Sequence, residues 1–196
     1  MDLKDAKREL RKEKIAAREA LTEEERFSCS AAICRRITET HAYRDAGTVF
    51  AYKWVRGEVK LDALEEAAAR DGKRLVYPLC VSRTEMIAVE PGAGEDAWKD
   101  RGSFGIREPD PEKGRICDPS EIDLVICPCS SFDEEGHRLG MGGGYYDRYL
   151  PDCVNAARIA AAFEVQKADS VPADEHDCIV DAVVTEKSCY INKKND

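Results

Sequence analysis

The chain has 196 residues, 43% of them hydrophobic, and a formal net charge of −9 at pH 7. That size and apolar content suit a single domain over residues 1–196 with one full core, and the acidic balance argues against nucleic-acid binding, which needs an excess of Lys and Arg to meet phosphates. No apolar run approaches the roughly 18 residues of a membrane span, and the first residues lack the apolar region of a signal peptide, so a cytoplasmic protein without a membrane partner is expected. The nine cysteines are scattered and odd in number, and Cys127-Pro128-Cys129 has no companion pair. Reduced, partly buried thiols are therefore expected rather than a disulfide framework or a zinc site.

Leu3 to Leu21 reads as a helix, because Leu3, Ala6, Leu10, Ala17 and Leu21 recur at helical steps. Thr22-Glu23-Glu24-Glu25 reads as a capping box opening a second helix, with Phe27, Ala31, Cys34, Ile37 and His41 on one face. Thr48–Tyr52 is then a strand, Leu61–Arg70 a helix closed by Gly72, and Arg74–Pro78 a strand. Further strands are expected at Thr84–Glu90, Asp123–Cys127, Arg158–Phe163 and Ile179–Thr185. Alternation of this kind predicts an α/β fold with a buried, mostly parallel or mixed sheet. Pro91–Pro119 is rich in Gly, Pro and charge, and reads as a long surface loop.

The chemistry concentrates in Arg138-Leu139-Gly140-Met141-Gly142-Gly143-Gly144-Tyr145-Tyr146-Asp147. Glycines let backbone N–H groups approach an anion, and position after a strand suits a ligand site in an open α/β sheet. The segment is neither a Walker A loop nor a dinucleotide fingerprint, so phosphate contact and an ordinary glycine turn both remain open. A short helix stopped by Pro151 would follow, its amino end facing the glycines. Tyr145 offers a ring for stacking and a phenol. Asp147 is either a magnesium ligand or a surface acid paired with Arg148, and Arg138 either a phosphate clamp or a solvated charge.

In the first helix Lys4, Lys7, Arg8, Arg11, Lys12, Lys14 and Arg18 outnumber Asp2, Asp5, Glu9 and Glu13, a local net of +3 over residues 2–18. Lys7 and Arg11 sit one turn apart, where like charges repel unless an anion such as a triphosphate lies between them; a solvated helix is the other reading. Glu58 follows the first strand in Arg56-Gly57-Glu58-Val59 and is placed to read a polar ring edge or to face solvent. Asp181 interrupts an apolar strand and needs a partner or a metal; with Asp147 it would make a two-carboxylate magnesium site. His137, in a polar turn, is expected to be solvated.

Taken in order, Lys7–Arg11, Gly57–Val59, Phe104–Pro109, Asp123–Ile126, Phe132-Asp133, Arg138–Leu150, Val171-Pro172, His176-Asp177, Val180-Asp181 and Thr185-Glu186 resemble the 5-formyltetrahydrofolate cyclo-ligase (5,10-methenyltetrahydrofolate synthetase) family over nearly the whole chain. The resemblance implies a three-layer α/β/α sandwich, similar in architecture to phosphosugar isomerases and coenzyme A transferases. It implies an enzyme of one-carbon metabolism that uses ATP and magnesium to convert 5-formyltetrahydrofolate into 5,10-methenyltetrahydrofolate, releasing ADP and phosphate. These small molecules would be its partners, and it would act as a monomer or weak homodimer. Carried over residue by residue, ATP would be met by Lys7, Arg8, Glu9, Leu10 and Arg11 and by Arg138, Leu139, Gly140, Met141, Gly142, Gly143, Gly144, Tyr145 and Tyr146. The folate would be met by Lys53, Glu58, Met141, Gly144 and Tyr145, and magnesium by Asp147 and Asp181. Lys7, Arg138 and Tyr145 would be the catalytic groups. Two departures stand out: Gly143 replaces a lysine found in some members, so the phosphates would depend more on Lys7, Arg11 and Arg138, and Pro128-Cys129-Ser130-Ser131 replaces a Pro-Gly loop. The rival reading is a non-catalytic or differently specific nucleotide-binding relative. An isomerase or transferase would want a dedicated base or nucleophile, for which Glu58 is the one candidate.

Overall fold

The structure is a computed structural model and describes residues 2–101 and 106–192; Phe104 and Gly105 of the family-like segment lie outside them. Helix α1 (Leu3–Glu19) is capped by Asp2, whose side chain accepts the Asp5 N–H. Helix α2 (Glu23–Thr38) opens with the expected reciprocal capping box of Thr22 and Glu25. Its buried face is rotated from the expected one: Cys34 and Ile37 turn inward as expected, with Ser30 and Ile33, while Phe27 is 67% exposed and Ala31 and His41 also face solvent. The physical reason is polar: the Ser30 hydroxyl accepts the Lys60 N–H at 3.1 Å, which draws a serine into the interface and rotates Phe27 to solvent.

After α3 (His41–Asp45) come β1 (Thr48–Phe50), α4 (Asp62–Arg70), β2 (Arg74–Cys80) and β3 (Met86–Glu90). Pro91–Pro119 is not a bare loop. It contains a 3₁₀ turn, the paired strands β4 (Trp98–Arg101) and β5 (Ile106–Pro109), and β6 (Arg115–Cys117), which adds to the edge of the main sheet beside β3. Backbone pairing satisfies N–H and C=O groups that a sequence scan for apolar periodicity cannot see. Then follow β7 (Leu124–Pro128), the short hairpin β8 (Ser131–Phe132) and β9 (Arg138–Leu139), α5 (Tyr145–Tyr149), β10 (Ala157–Ala161), β11 (Ala182–Val184) and β12 (Cys189–Ile191).

Among the described residues the main sheet has eight strands in the order β12-β11-β10-β7-β1-β2-β3-β6. Strands β11, β10, β7, β1 and β2 are mutually parallel, and β12, β3 and β6 pair antiparallel at the two sides. It is the mixed sheet that the alternating pattern predicts. Side chains alternate between its faces: Val49, Leu124, Ile126 and Ile159 pack under α2 and α4, while Phe50, Val125, Cys127 and Ala160 pack under α5 and the segment before β11. All nine cysteines are free thiols. Burial pushes Cys127 up to about 11 and Cys129 up to about 12, so neither is a reactive thiolate at neutral pH.

From β1 the chain moves outward through β2, β3 and β6, then returns to β7 on the other side of β1 and continues to β10. The strand order therefore reverses between β1 and β7. In open α/β sheets ligands bind in the crevice at the carboxyl ends of the strands flanking such a reversal.

Candidate functional site

Two loops border that crevice, one after β1 and one after β7, and α1 spans both with a basic face. Lys7, Arg11, Lys14 and Arg18 fall within about 60° of arc on an ideal helix. They are the positions that turn inward, whereas Arg8 and Glu9 are exposed, Arg8 pairing with Asp5 at 2.8 Å. Glu9 and Leu10 instead line a groove of about 590 Å³ on the other flank of α1, with Ser170 and Pro172. Of the helix residues expected at a nucleotide, the structure thus groups Lys7 with Arg11 and separates Arg8, Glu9 and Leu10 from them.

Lys7 already has partners within the chain. Its ammonium is held by Asp174 at 2.7 Å and by Asp177. Burial alone would lower its pKa, but the hydrogen bonds and charges of the two aspartates outweigh it and raise the pKa above the ordinary lysine value. Arg11 donates from Nε to Gly140 O at 2.7 Å, and burial lowers its pKa, with Asp177 opposing. Its guanidinium lies against the glycine segment: a β-carbon on Gly142, whose φ is +95°, would stand 3.6 Å from the guanidinium carbon. Gly144, at φ +65°, is the left-handed residue that starts α5. At Gly143 a β-carbon would meet the Tyr145 ring at 2.9 Å, so the aromatic ring takes the space that a side chain there would need.

The serine-containing loop after β7 also serves this segment. The Ser130 hydroxyl reaches Leu139 O and Gly140 O at 2.8 and 3.1 Å, which ties the glycines to the end of β7. Tyr145 donates its phenol to Ser82 O at 3.0 Å, and Arg148 donates to Thr84 O and Gly143 O, both at 2.7 Å. Met141 is exposed at the tip of the segment, while Leu139 is buried.

Arg138 is neither a clamp facing solvent nor a solvated charge. It is 4% exposed and donates to Asp147 Oδ1 at 2.9 Å, so Asp147 pairs with Arg138 rather than with Arg148. The Cys178 N–H also reaches Asp147 Oδ1, at 3.2 Å. Asp181 is engaged elsewhere. Its Oδ2 accepts the Arg158 N–H at 2.7 Å, closing the amino ends of β10 and β11, the pole opposite to the strand carboxyl ends. The structure therefore does not unite Asp147 and Asp181 as one ligand pair. Among the described residues no three His, Cys, Asp or Glu side chains gather as a metal cluster. His137, expected to be solvated, binds through Nδ1 to buried Asp133 at 3.0 Å, because three backbone N–H groups already fix that carboxylate beside it.

On the other side of the crevice, Val55-Arg56-Gly57-Glu58 forms a tight turn in which the Glu58 N–H reaches Val55 O at 3.0 Å. Arg56 and Gly57 both have positive φ, +47° and +73°, as in a type I′ turn. Glu58 is buried and its carboxylate accepts the Val55 N–H at 3.1 Å. Burial raises its pKa, with the Val55 N–H and the Arg18 charge acting the other way. Lys53 turns away, its ammonium 2.7 Å from both Glu65 oxygens and stacked over Tyr77 and Trp98; the acid on α4 captures it.

Sequence reasoning passed over Arg18, Tyr52 and Asp177 as site residues. Arg18 is fully buried and donates to Cys129 O at 3.3 Å and Arg56 O at 2.7 Å. Its place in the stripe begun by Lys7 and Arg11 is the signal that would have found it. Burial pushes the phenols of Tyr52 and Tyr146 well above the ordinary value, and the Glu58 charge adds to both. The Tyr146 hydroxyl and Arg18 Nε are buried without a protein partner among the described residues, whereas most buried polar atoms are hydrogen-bonded to protein or ordered water.

The fold and site define an α/β enzyme whose switch-point crevice joins a cationic, glycine-lined side to a buried carboxylate and tyrosine side. Residues 3–186 match the model of the 5-formyltetrahydrofolate cyclo-ligase family. The chain is 30% identical to the mouse 5-formyltetrahydrofolate cyclo-ligase, over 93% of this chain and 95% of that one, and 30% identical to that of Escherichia coli K12, over 86% and 93%. A solved 5,10-methenyltetrahydrofolate synthetase from Aquifex aeolicus superposes with a TM-score of 0.82 at 31% identity, covering 95% of this chain and 93% of that one. The one from Mycoplasma pneumoniae gives 0.75 at 26%, covering 92% and 98%. The chain belongs to the 5-formyltetrahydrofolate cyclo-ligase family.

Proposed function

We propose that the protein closes the N5-formyl group of 5-formyltetrahydrofolate onto N10, driven by ATP, to give 5,10-methenyltetrahydrofolate, ADP and phosphate. It acts as a single cytoplasmic domain over residues 1–196, as a monomer or weak homodimer. No helix of the described residues is long and apolar enough to cross a membrane. The observation that carries the reading is the placement of Arg11 over Gly142 on one side of the switch point and buried Glu58 on the other, with buried Tyr146 in reach of the Glu58 charge.

A formyl oxygen is a poor leaving group. Transfer of the γ-phosphoryl of ATP to that oxygen turns it into phosphate; N10 then attacks the formyl carbon, the C–O bond breaks, and the N10 proton leaves to water. Phosphoryl transfer asks the chain for positioning and charge neutralisation, supplied by Lys7, Arg11 and the backbone of Gly140–Gly144. Glu58 accepts hydrogen bonds from the pterin ring, and the ring of Tyr145, with Met141 and Gly144, lines the folate beside it. Holding N10 against the formyl carbon makes closure an intramolecular step, so no protein nucleophile is needed. Magnesium, when bound, neutralises charge on the transferring phosphates. Asp147, three residues past Gly144, is the carboxylate of this chain that would hold it, with the Arg138 ion pair fixing it; Asp181, bonded at the amino end of β10, does not fit that role.

The test is to mix the purified protein with 5-formyltetrahydrofolate and Mg-ATP and to follow the methenyl chromophore together with ADP. Stoichiometric appearance of both is expected; folded protein that makes neither would refute the reading. Asp147→Asn is expected to raise the magnesium concentration for half-maximal activity by roughly 10-fold or more, with thermal unfolding recorded alongside because the variant also weakens the Arg138 pair. A magnesium titration that superposes on the parent's would remove Asp147 from the metal site.

A further inference from the structure

Arg18 is the one fully buried charged residue of α1, and neither the nucleotide nor the folate contacts above account for it. A buried guanidinium is costly unless its donors are used and its charge is met. Here two donors go to backbone carbonyls, Arg56 O at 2.7 Å and Cys129 O at 3.3 Å, while Nε has no protein partner among the described residues. Those carbonyls belong to the loops after β1 and β7, the two strands between which the sheet order reverses. Arg18 therefore bridges the switch point.

Its stronger bond falls on a strained place. Arg56 is the one non-glycine residue with positive φ among the described residues, a conformation that persists only where surrounding structure enforces it. Two bonds bear on it here: Glu58 N–H to Val55 O, which closes the turn, and Arg18 to Arg56 O. The same turn points Glu58 into the interior, where its carboxylate accepts the Val55 N–H at 3.1 Å and the Arg18 charge reaches it. A β-carbon on Gly57 would lie 3.7 Å from the Arg26 side chain and 4.0 Å from Arg18 Nε, so both arginines pack beside the turn.

We propose that Arg18 is the positioning residue of Glu58: by bonding Arg56 O and Cys129 O it holds the Arg56-Gly57 turn in its left-handed form and so fixes the carboxylate that receives the folate ring. The proposal rests on the reading of Glu58 as the folate contact, and the experiment separates the two. Folate KM, ATP KM and kcat are measured for Arg18→Lys, Glu58→Gln and the double variant, with thermal unfolding on each. Arg18→Lys keeps the charge but loses the planar fork; it is expected to raise the folate KM by roughly 10- to 100-fold, the scale of a displaced positioning contact, with the ATP KM near the parent's. In the Glu58→Gln background the same change is expected to add little, since the group it positions is gone. Gly57→Ala, which strains the turn without altering Arg18, should reproduce the signature, and it supplies the cycle if Arg18→Lys does not fold.

Independent, multiplicative effects in the double variant, or an equal rise in both KM values, would overturn the proposal and leave Arg18 as a staple between α1 and the sheet. If Glu58→Gln itself leaves the folate KM unchanged, the Glu58 reading fails and the Arg18 role falls with it. If Glu58→Gln raises the folate KM while both Arg18→Lys and Gly57→Ala do not, Glu58 stands and Arg18 alone is refuted.

Discussion

Glu58→Gln is expected to lower kcat/KM for the folate by about 100-fold while leaving the protein at least as stable as the parent at neutral pH. A hydrogen bond to a charged group contributes about 1.5–3 kcal/mol, a factor of roughly 10 to 150, and glutamine keeps the shape while replacing one acceptor oxygen with a donor. The stability half follows from the direction of the pKa. Burial raises Glu58 above its ordinary value of 4.5, so the folded chain favours the protonated form. That contribution is fully present below the unfolded pKa and is lost as pH rises through the higher folded pKa, which means that the ionised carboxylate destabilises the protein at neutral pH. Glutamine removes that cost. Thermal unfolding of both proteins from about pH 4, below the ordinary value, to about pH 8, beside folate kinetics, checks both halves: the parent is expected to lose stability relative to the variant as pH rises through the raised pKa of Glu58. A variant that is both inactive and markedly less stable at neutral pH would show Glu58 to be a structural acid.

Lys7→Ala is the second large effect expected, a rise in ATP KM of about 100-fold that is steeper at low salt than at high salt. The arrangement makes the change do two things. It removes a cation beside Arg11, and it leaves Asp174 and Asp177, which now surround the ammonium, facing the same region without a counter-charge. Like-sign charge in a crevice raises the barrier to an approaching anion, and salt screens it. Adding Asp177→Asn to Lys7→Ala should therefore recover part of the loss. A double variant no better than Lys7→Ala alone would mean that Lys7 acts by direct contact only. An ATP KM unaffected by Lys7→Ala would show the Lys7 contacts with the segment before β11 to be structural.

The difference between Lys7 as expected and as found marks where sequence reading stops. Spacing put Lys7 and Arg11 on one face of a helix, and the structure keeps them there because helical geometry is local. That Asp174 and Asp177, about 170 positions along the chain, come to rest on Lys7 depends on the crossover between β10 and β11, which no local pattern encodes. Arg138 and Asp147 show the same limit. Nine residues apart, they read as a phosphate clamp or solvated charge and as a metal ligand or partner of Arg148, yet the β8–β9 hairpin and the start of α5 bury one against the other. Asp181, an acid in an apolar strand, correctly demanded a partner, and a backbone N–H of the neighbouring strand is one; pairing between strands is non-local.

By itself the sequence determined the alternation of helix and strand, the capping box of α2, the mixed sheet and the family motif, since each depends on residues within a few positions or on motif order. The tertiary structure decided which charges remain facing the crevice and which are matched to one another. It turned Phe27 outward and Ser30 inward, took Lys53 to Glu65, locked Arg138 onto Asp147, and set Arg18 across the two loops at the reversal of strand order. The physical reason is that a charge is assigned by desolvation and by the partner it meets, and both are properties of segments brought together by the sheet rather than of neighbours along the chain.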